Sequence, residues 1–276
     1  MLLACLSALC FGAAVVASKR GLAYRDPRAG AVISVPTATL LLLLVTPFFF
    51  DASGFVVAAA LVFALVGLFF PAVVTLLNFA STERLGPTMS SAIGSSAPLF
   101  ALVAAALLLA ERIPSKAVLA SVGVVIGITV LSWTRAGEPR RFTWALALPL
   151  AGAMIRGLAQ ALAKAGLVLW PNPFAATLIS YVVSSGMVGA ANRFRVRPRE
   201  GGKLWFMLTG ALNGTAVLFM YSALSVAPVS TVAPIVAAFP LVTALLSVAI
   251  GEETLRLRLI GGSALIVAAI VYLVAG

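Results

Sequence analysis

The sequence has no histidine, only two cysteines and only eight acidic residues among its 276 positions. Without histidine it lacks the commonest metal ligand and general base, and no group of Cys, Asp and Glu has metal-ligand spacing. Glycine-rich phosphate-binding loops are missing too, which removes the usual nucleotide site. Cys5 and Cys10 lie in one apolar run at a spacing that puts them on different helix faces, so we expect no disulfide. We therefore predict no cofactor, no metal and no enzymatic activity.

Charge of either sign is also scarce. Charged residues make up 10% of the chain and hydrophobic residues 62%, against about 25% and 45–50% in soluble domains. Apolar runs near the roughly 20 residues that cross a bilayer recur between short polar breaks. They lack the alternation of a membrane barrel, and lipid satisfies no backbone polar group, so they must be helices. We predict an all-α integral membrane protein with ten spans, at about 2–18, 30–50, 56–80, 88–110, 115–133, 143–165, 173–191, 204–224, 229–250 and 257–275.

The net charge of +11 reflects membrane topology rather than nucleic-acid binding. Fifteen of the 19 lysines and arginines fall in loops on one side of the predicted membrane, against three on the other (Arg112, Lys116 and Lys164). Cytoplasmic loops attract Lys and Arg, so this bias makes the lipid bilayer the expected partner and puts both termini outside the cytoplasm.

The chain contains one pattern twice. Gly12, Lys19, Gly21, Pro87, Pro98 and Glu111 recur as Gly157, Lys164, Gly166, Pro228, Pro240 and Glu253. We divide the chain accordingly into repeats at residues 1–134 and 135–276. Each repeat has five predicted spans, and an odd number makes the second copy enter the membrane upside down, as in many secondary transporters.

The repeated pattern is specific. The segments APLFALVAAALLLAERI and FPLVTALLSVAIGEETL each join a proline to a glutamate, and each precedes a helix with two glycines, Gly123 and Gly127 or Gly261 and Gly262. This pattern resembles the EamA family of the drug/metabolite transporter superfamily, and within it YddG-type amino-acid exporters. The resemblance implies two inverted five-helix repeats around a central cavity, alternating access, and metabolite export from the bacterial inner membrane. It also implies cytoplasmic termini, opposite to the loop count, so the orientation stays open.

Arg156 is the most informative single residue. It lies in the middle of a predicted span, where a charge costs roughly 2.5–3.5 kcal/mol on insertion scales. Gln160 follows one helical turn later on the same face. A guanidinium binds carboxylates bidentately, so we predict that the pair recognises an anionic substrate group; the alternative is an arginine bonded to backbone carbonyls. No Asp or Glu lies mid-span, which disfavours cationic substrates.

Three prolines and several polar residues complete the predicted site. Pro98, Pro234 and Pro240 lie within spans, where proline kinks a helix, and we predict gating hinges there, with static kinks as the alternative. The weaker substrate-binding candidates are Asn78, Asn213, Tyr221, Ser95 and Ser96, which otherwise join helices by hydrogen bonds. Glu111 and Glu253 end equivalent spans near Arg112, Arg256 and Arg258, and we expect a structural role for them.

These observations predict a secondary transporter that exports small metabolites bearing a carboxylate, with neutral and aromatic amino acids first. Exchange of phosphorylated or nucleotide-sugar anions is one alternative, and a non-transporting membrane scaffold is another. Homo-oligomerisation and energy coupling stay open.

Overall fold

The structure is a computed structural model that describes residues 1–24, 27–132, 144–192, 201–251 and 257–275. Its regular elements in these ranges are all helical, which confirms the predicted class. The α-helices are α1 (Leu2–Leu22), α2 (Pro27–Phe49), α3 (Val57–Phe69), α4 (Ala72–Gly94), α5 (Ala97–Leu109), α6 (Ser115–Ser132), α7 (Ala147–Leu169), α8 (Pro173–Asn192), α9 (Lys203–Val226), α10 (Val229–Ala237), α11 (Phe239–Ala249) and α12 (Leu257–Ala275), with a 3-10 turn at Trp144–Leu146.

Seven segments of the described chain are long and apolar enough to cross a membrane. They are Leu2–Leu22, Pro27–Phe49, Val57–Leu85, Trp144–Leu169, Pro173–Ala191, Lys203–Val226 and Val229–Ala249. Three shorter apolar helices accompany them, at Ala97–Leu109, Ser115–Val130 and Ile260–Ala275. The count of ten spans stays a prediction. The predicted boundary between repeats, at 134/135, lies outside the described residues.

Three predicted spans are broken, and the one at 88–110 divides at Ser95–Ser96, between α4 and α5. The run at 56–80 divides at the cis Phe70–Pro71 bond, between α3 and α4. The run at 229–250 divides at Ala238, between α10 and α11. Pro98 and Pro240 occupy the first turns of α5 and α11, so the prediction that they kink helix interiors is wrong. Backbone N–H groups in the first turn of a helix have no intrahelical acceptor, so a proline there costs no hydrogen bond. Pro234, in contrast, does lie inside α10.

The chain reverses direction within the range of α4. The hydroxyl of Ser81 donates to that of Ser90 at 2.7 Å. Nine residues of straight α-helix would separate them by about 13 Å, at 1.5 Å per residue. The reversal falls at the polar break that the sequence predicts between spans 56–80 and 88–110.

The first half (α1–α6) packs mainly against the second (α7–α12). The helix α1 packs on α9 and α11, while α7 packs on α3, α4 and α5. The helix α2 packs on α8 and α9, α8 also packs on α3, and α6 packs on α12. Most contacts between a helix of the first half and a helix of the second therefore have an equivalent contact in which the two halves have exchanged roles.

Glycines that correspond in the two halves make the closest of these contacts. A Cβ on Gly12 would lie 2.6 Å from the Val242 Cβ, and one on Gly157 would lie 2.8 Å from the Phe100 Cβ. Two further pairs behave alike: Gly21 on Phe206 with Gly166 on Phe63, and Gly210 on Ser34 with Gly67 on Ser180. The absence of a side chain lets the helices of opposite halves touch at these points.

Candidate substrate-binding site

A cavity of about 200 Å³ lies between α1, α4, α7, α8, α9 and α11. Its walls are mostly apolar, with Phe11, Phe70 and Phe239 among them. The polar groups on the wall are hydroxyls, two amides (Asn78 and Asn213) and two cations (Lys19 and Arg156). No acidic residue lines the cavity in the described part of the chain. The cavity therefore offers positive charge, hydrogen bonds and apolar surface, but no counter-ion for a cation.

Arg156 lies on α7, half-buried between two aromatic rings. Its Cζ is 5.3 Å from the ring centroid of Phe239 and 5.9 Å from that of Phe11, within range for cation–π attraction. Glycines flank it: Gly157 lets the backbone of α5 approach, and a Cβ on Gly152 would lie 3.4 Å from the Asn78 Oδ1. Among the described residues, no carboxylate pairs with Arg156.

The structure brings three of the predicted site residues together. Arg156, Asn78 and Asn213 line the cavity, whereas Gln160, Tyr221, Ser95 and Ser96 do not. Gln160 is only 2% exposed, and its Oε1 has no hydrogen-bond partner among the described residues. Tyr221 is fully buried, and the Ser96 hydroxyl donates to the Ile93 carbonyl at 2.8 Å. Their roles in binding substrate, and that of the three prolines in gating, stay predictions.

Tyr181 is a cavity residue that sequence reasoning missed. Its side chain is 1% exposed, it lies on the wall, and its hydroxyl has no hydrogen-bond partner in the described chain. In the sequence it stands in the apolar run LISYVV, where a tyrosine is easily taken for core packing. Asn78, Asn213 and Arg156 are more conspicuous, because an amide or a charge interrupts an apolar run more strongly.

The cavity lies towards the end of the bundle that carries the basic loops. Its wall includes Lys19 and Leu22 at the end of α1, Gly152 near the start of α7 and Thr209 near the start of α9. Most of the lysines and arginines that the loop count puts on one side follow α1 or precede α7 and α9 in sequence. The cavity therefore lies nearer this basic end of the bundle than the opposite end.

At the opposite end of the bundle, Glu111 and Lys164 make hydrogen bonds that join different helices. The Glu111 carboxylate, just after α5, accepts hydrogen bonds from the N–H groups of Val229 and Ser230 at 3.1 and 3.0 Å, and from the Ser230 hydroxyl. Lys164 on α7 donates to the Leu224 carbonyl at 2.7 Å. The sequence suggested a structural role for Glu111 but not these partners. Glu253, Arg256 and the side chain of Arg258 lie outside the described residues.

The sequence and the architecture were compared with those of known proteins. The model of the EamA-like transporter family matches residues 1–133 and 143–275. The chain belongs to the EamA-like transporter family. A crystal structure of a protein with 16% sequence identity aligns with a TM-score of 0.80 over 98% of this chain and 94% of that chain, which shows a shared fold. No curated protein matches the chain.

Membership of the EamA-like family makes this a multi-pass membrane protein and a transporter of small molecules. The family is one of transporters and not of enzymes. The resemblance seen in the paired proline–glutamate segments is thereby confirmed at the level of the family.

Proposed function

We propose that this protein exports small metabolites bearing a carboxylate from the bacterial cytoplasm, with neutral and aromatic amino acids first. The observation that carries the proposal is Arg156, a cation on the cavity wall with no acidic partner among the described residues. A guanidinium offers a planar pair of N–H donors that matches a carboxylate. The rings of Phe11 and Phe239 support the cation without neutralising it.

The rest of the wall supports an uncharged substrate side chain. Its surface is mostly apolar, and Asn78 and Asn213 add neutral donors and acceptors. A second candidate is a small phosphorylated anion, which Lys19 favours because it puts a second cation on the same wall. At about 200 Å³ the cavity falls below the roughly 300–1,000 Å³ of drug-sized ligand pockets, which disfavours nucleotide sugars.

Alternating access is supported by the exchanged glycine contacts. When one surface meets its own copy across a two-fold axis, each contact occurs twice with the partners swapped. The pairs Gly12–Val242 and Gly157–Phe100 have this relation, as do Gly210–Ser34 and Gly67–Ser180. We interpret the halves as inverted repeats of five spans each that rock around the cavity.

The position of the cavity is compatible with export. If the basic side is cytoplasmic, the cavity is accessible from the cytoplasm, where a metabolite exporter must load. The Glu111 and Lys164 contacts then hold the external end together.

Counterflow into proteoliposomes that contain the purified protein tests the proposed substrate class. Vesicles preloaded with one unlabelled amino acid should take up labelled neutral and aromatic amino acids saturably, and protein-free vesicles should not. Flux of small phosphorylated metabolites alone would favour the second candidate. No flux from any of these compounds, with protein that remains folded, would favour a non-transporting scaffold.

A further inference from the structure

The Glu111 carboxylate joins two elements that belong to different halves. It follows α5 in the first half and binds the first residues of α10 in the second, Val229 and Ser230. These N–H groups are among those at a helix N-terminus that have no intrahelical acceptor, and an anion there is also favoured by the helix dipole. Because both oxygens accept hydrogen bonds, the contact fixes the start of the broken helix pair α10–α11.

Lys164 makes a second contact at the same end. Its ammonium group donates to the carbonyl of Leu224 in the last turn of α9, and it attracts the nearby charge of Glu111. Cations are favoured at helix C-termini for the same dipolar reason that anions are favoured at N-termini. The two side chains therefore hold both sides of the turn between α9 and α10.

A polar face of α7 connects this contact to the cavity. Arg156, Gln160 and Lys164 follow one another at four-residue spacing, so they share one face of the helix. Arg156 lies on the cavity wall, and Lys164 lies at the closed end. Gln160 lies between them, with a buried Oε1 that no described residue bonds. Such a group costs free energy in the folded state, and a state in which water or substrate reaches it would remove that cost.

Equivalent lysines of the two repeats have different surroundings. Lys164 is half-buried at the end of the bundle opposite the basic loops, whereas Lys19, its counterpart in the first repeat, is exposed and lines the cavity. Inverted repeats that adopt different conformations give a transporter open on one side only. The different surroundings of the two lysines reflect such a difference in conformation between the repeats.

We propose that Glu111 and Lys164 form the gate on the side opposite the basic loops, and that the face of α7 through Gln160 is the closed half of the substrate path. The proposal rests on the proposed transport function. In this state the gate is shut; release of the Glu111 carboxylate from α10 frees the α9–α10 turn, and Gln160 becomes accessible from that side.

The test measures access to position 160 without any substrate. Gln160→Cys is introduced into a background in which the free thiols Cys5 and Cys10 are replaced by serine. Reconstituted protein of known orientation receives a membrane-impermeant maleimide on the face opposite the basic loops. We expect slow labelling in this background, and labelling about tenfold faster when Glu111→Ala is added, since charge-assisted hydrogen bonds are worth enough to shift a two-state equilibrium by that order.

Two further variants separate gating from misfolding. Ser230→Ala removes one donor to Glu111 but leaves both backbone N–H groups, so a smaller increase of about threefold is expected. Asp51→Asn is the matched control, because Asp51 is an exposed acid in the loop before α3, at the same end of the bundle. Hydrogen bonds from the Ser53 hydroxyl and N–H lower the pKa of Asp51, so it is ionised at neutral pH.

Equal labelling in all backgrounds, with each variant monodisperse on size exclusion, would overturn the gate, and so would an equal increase in Asp51→Asn. Neither result depends on the transported compound. A failure of amino-acid counterflow would overturn the proposed substrate class and leave the labelling result interpretable.

Discussion

Arg156 concentrates the electrostatic cost of this fold in one side chain. A mid-span arginine costs roughly 2.5–3.5 kcal/mol on insertion scales. Cation–π contacts with Phe11 and Phe239 return about 0.5–2 kcal/mol each, depending on how far they are desolvated. The two contributions are similar in size, so the rings make the guanidinium tolerable without giving it an anionic partner. An anion entering the cavity would be attracted to this guanidinium.

Gln160 supplies the residue-scale prediction. Replacing it with Met removes a buried polar atom that has no partner among the described residues, and keeps a similar shape. We expect the free energy of unfolding to be unchanged or to rise by about 1 kcal/mol, because an unsatisfied buried group is destabilising. Transport should fall severalfold if Gln160 lies on the path. Thermal unfolding in detergent and counterflow measure the two effects.

Ser34→Ala is the control for this substitution. The Ser34 hydroxyl is also buried and without a described partner, but it lies on α2 and not on the face of α7 that carries Arg156, Gln160 and Lys164. Its removal should leave transport unchanged. A Gln160→Met protein that is less stable and transports normally would show that the glutamine has a packing role.

The sequence predicted the polar residues of the cavity better than their partners. Arg156, Asn78 and Asn213 were identifiable because a polar residue in an apolar run is costly and therefore conspicuous. The bonds of Glu111 to Val229 and Ser230 were not, because they join residues more than a hundred positions apart and depend on how the halves pack. Tyr181 was missed because its ring is as apolar as its neighbours.

At the scale of elements, the broken helices and the glycine contacts determine the shape of the site. The break at Ala238 places the N-terminus of α11 beside Gly12 of α1, and it puts the Phe239 ring next to Arg156. The sequence indicated where α10 and α11 would be irregular, from Pro234 and Pro240. It did not indicate that Pro240 would lie in the first turn of a new helix, because proline inside a run is compatible with a kink or a new start.

Alanine substitution at Gly210 tests the close approach of α9 to α2. A Cβ there would lie 2.1 Å from the Ser34 carbonyl oxygen, a backbone atom that cannot move alone. We expect Gly210→Ala to lower the unfolding free energy by roughly 1–3 kcal/mol or more, as overpacking does. Gly67→Ala, which would meet the Ser180 carbonyl oxygen at 2.7 Å, should behave alike.

Gly186→Ala on α8 is the matched control, since nothing lies within 4 Å of the added Cβ. It should be neutral or stabilise by up to about 1 kcal/mol through helix propensity. Equal melting temperatures for Gly210→Ala and Gly186→Ala would contradict the close contact.

At the scale of the whole molecule, charge distribution and cavity position make one joint prediction. The basic loops and the cavity lie at the same end. The orientation of the protein in the membrane therefore determines both its topology and the side from which substrate loads. Ala52 is exposed between α2 and α3, and Lys203 is exposed at the start of α9, at opposite ends of the bundle. Each can carry a reporter cysteine.

Each reporter is expressed in intact cells, in protein from which the native cysteines have been removed. An impermeant maleimide should label Ala52→Cys and should leave Lys203→Cys unlabelled until the membrane is permeabilised. The expectation follows from the preference of Lys and Arg for cytoplasmic loops. The reverse pattern would give the cytoplasmic termini that the family resemblance implies. The open cavity would then face the outside of the cell, and substrate would load from that side.

The central claim is that Arg156 binds the carboxylate of the substrate. The most direct measurement is inhibition of phenylalanine counterflow by unlabelled phenylalanine and by its carboxamide, which lacks only the carboxylate charge. In the wild type, phenylalanine should compete and the amide should not. Arg156→Ala should lower flux about tenfold or more, and Arg156→Lys should fall between, because an ammonium keeps the charge and loses the bidentate geometry. Equal competition by acid and amide, with flux that survives in Arg156→Ala, would contradict the account.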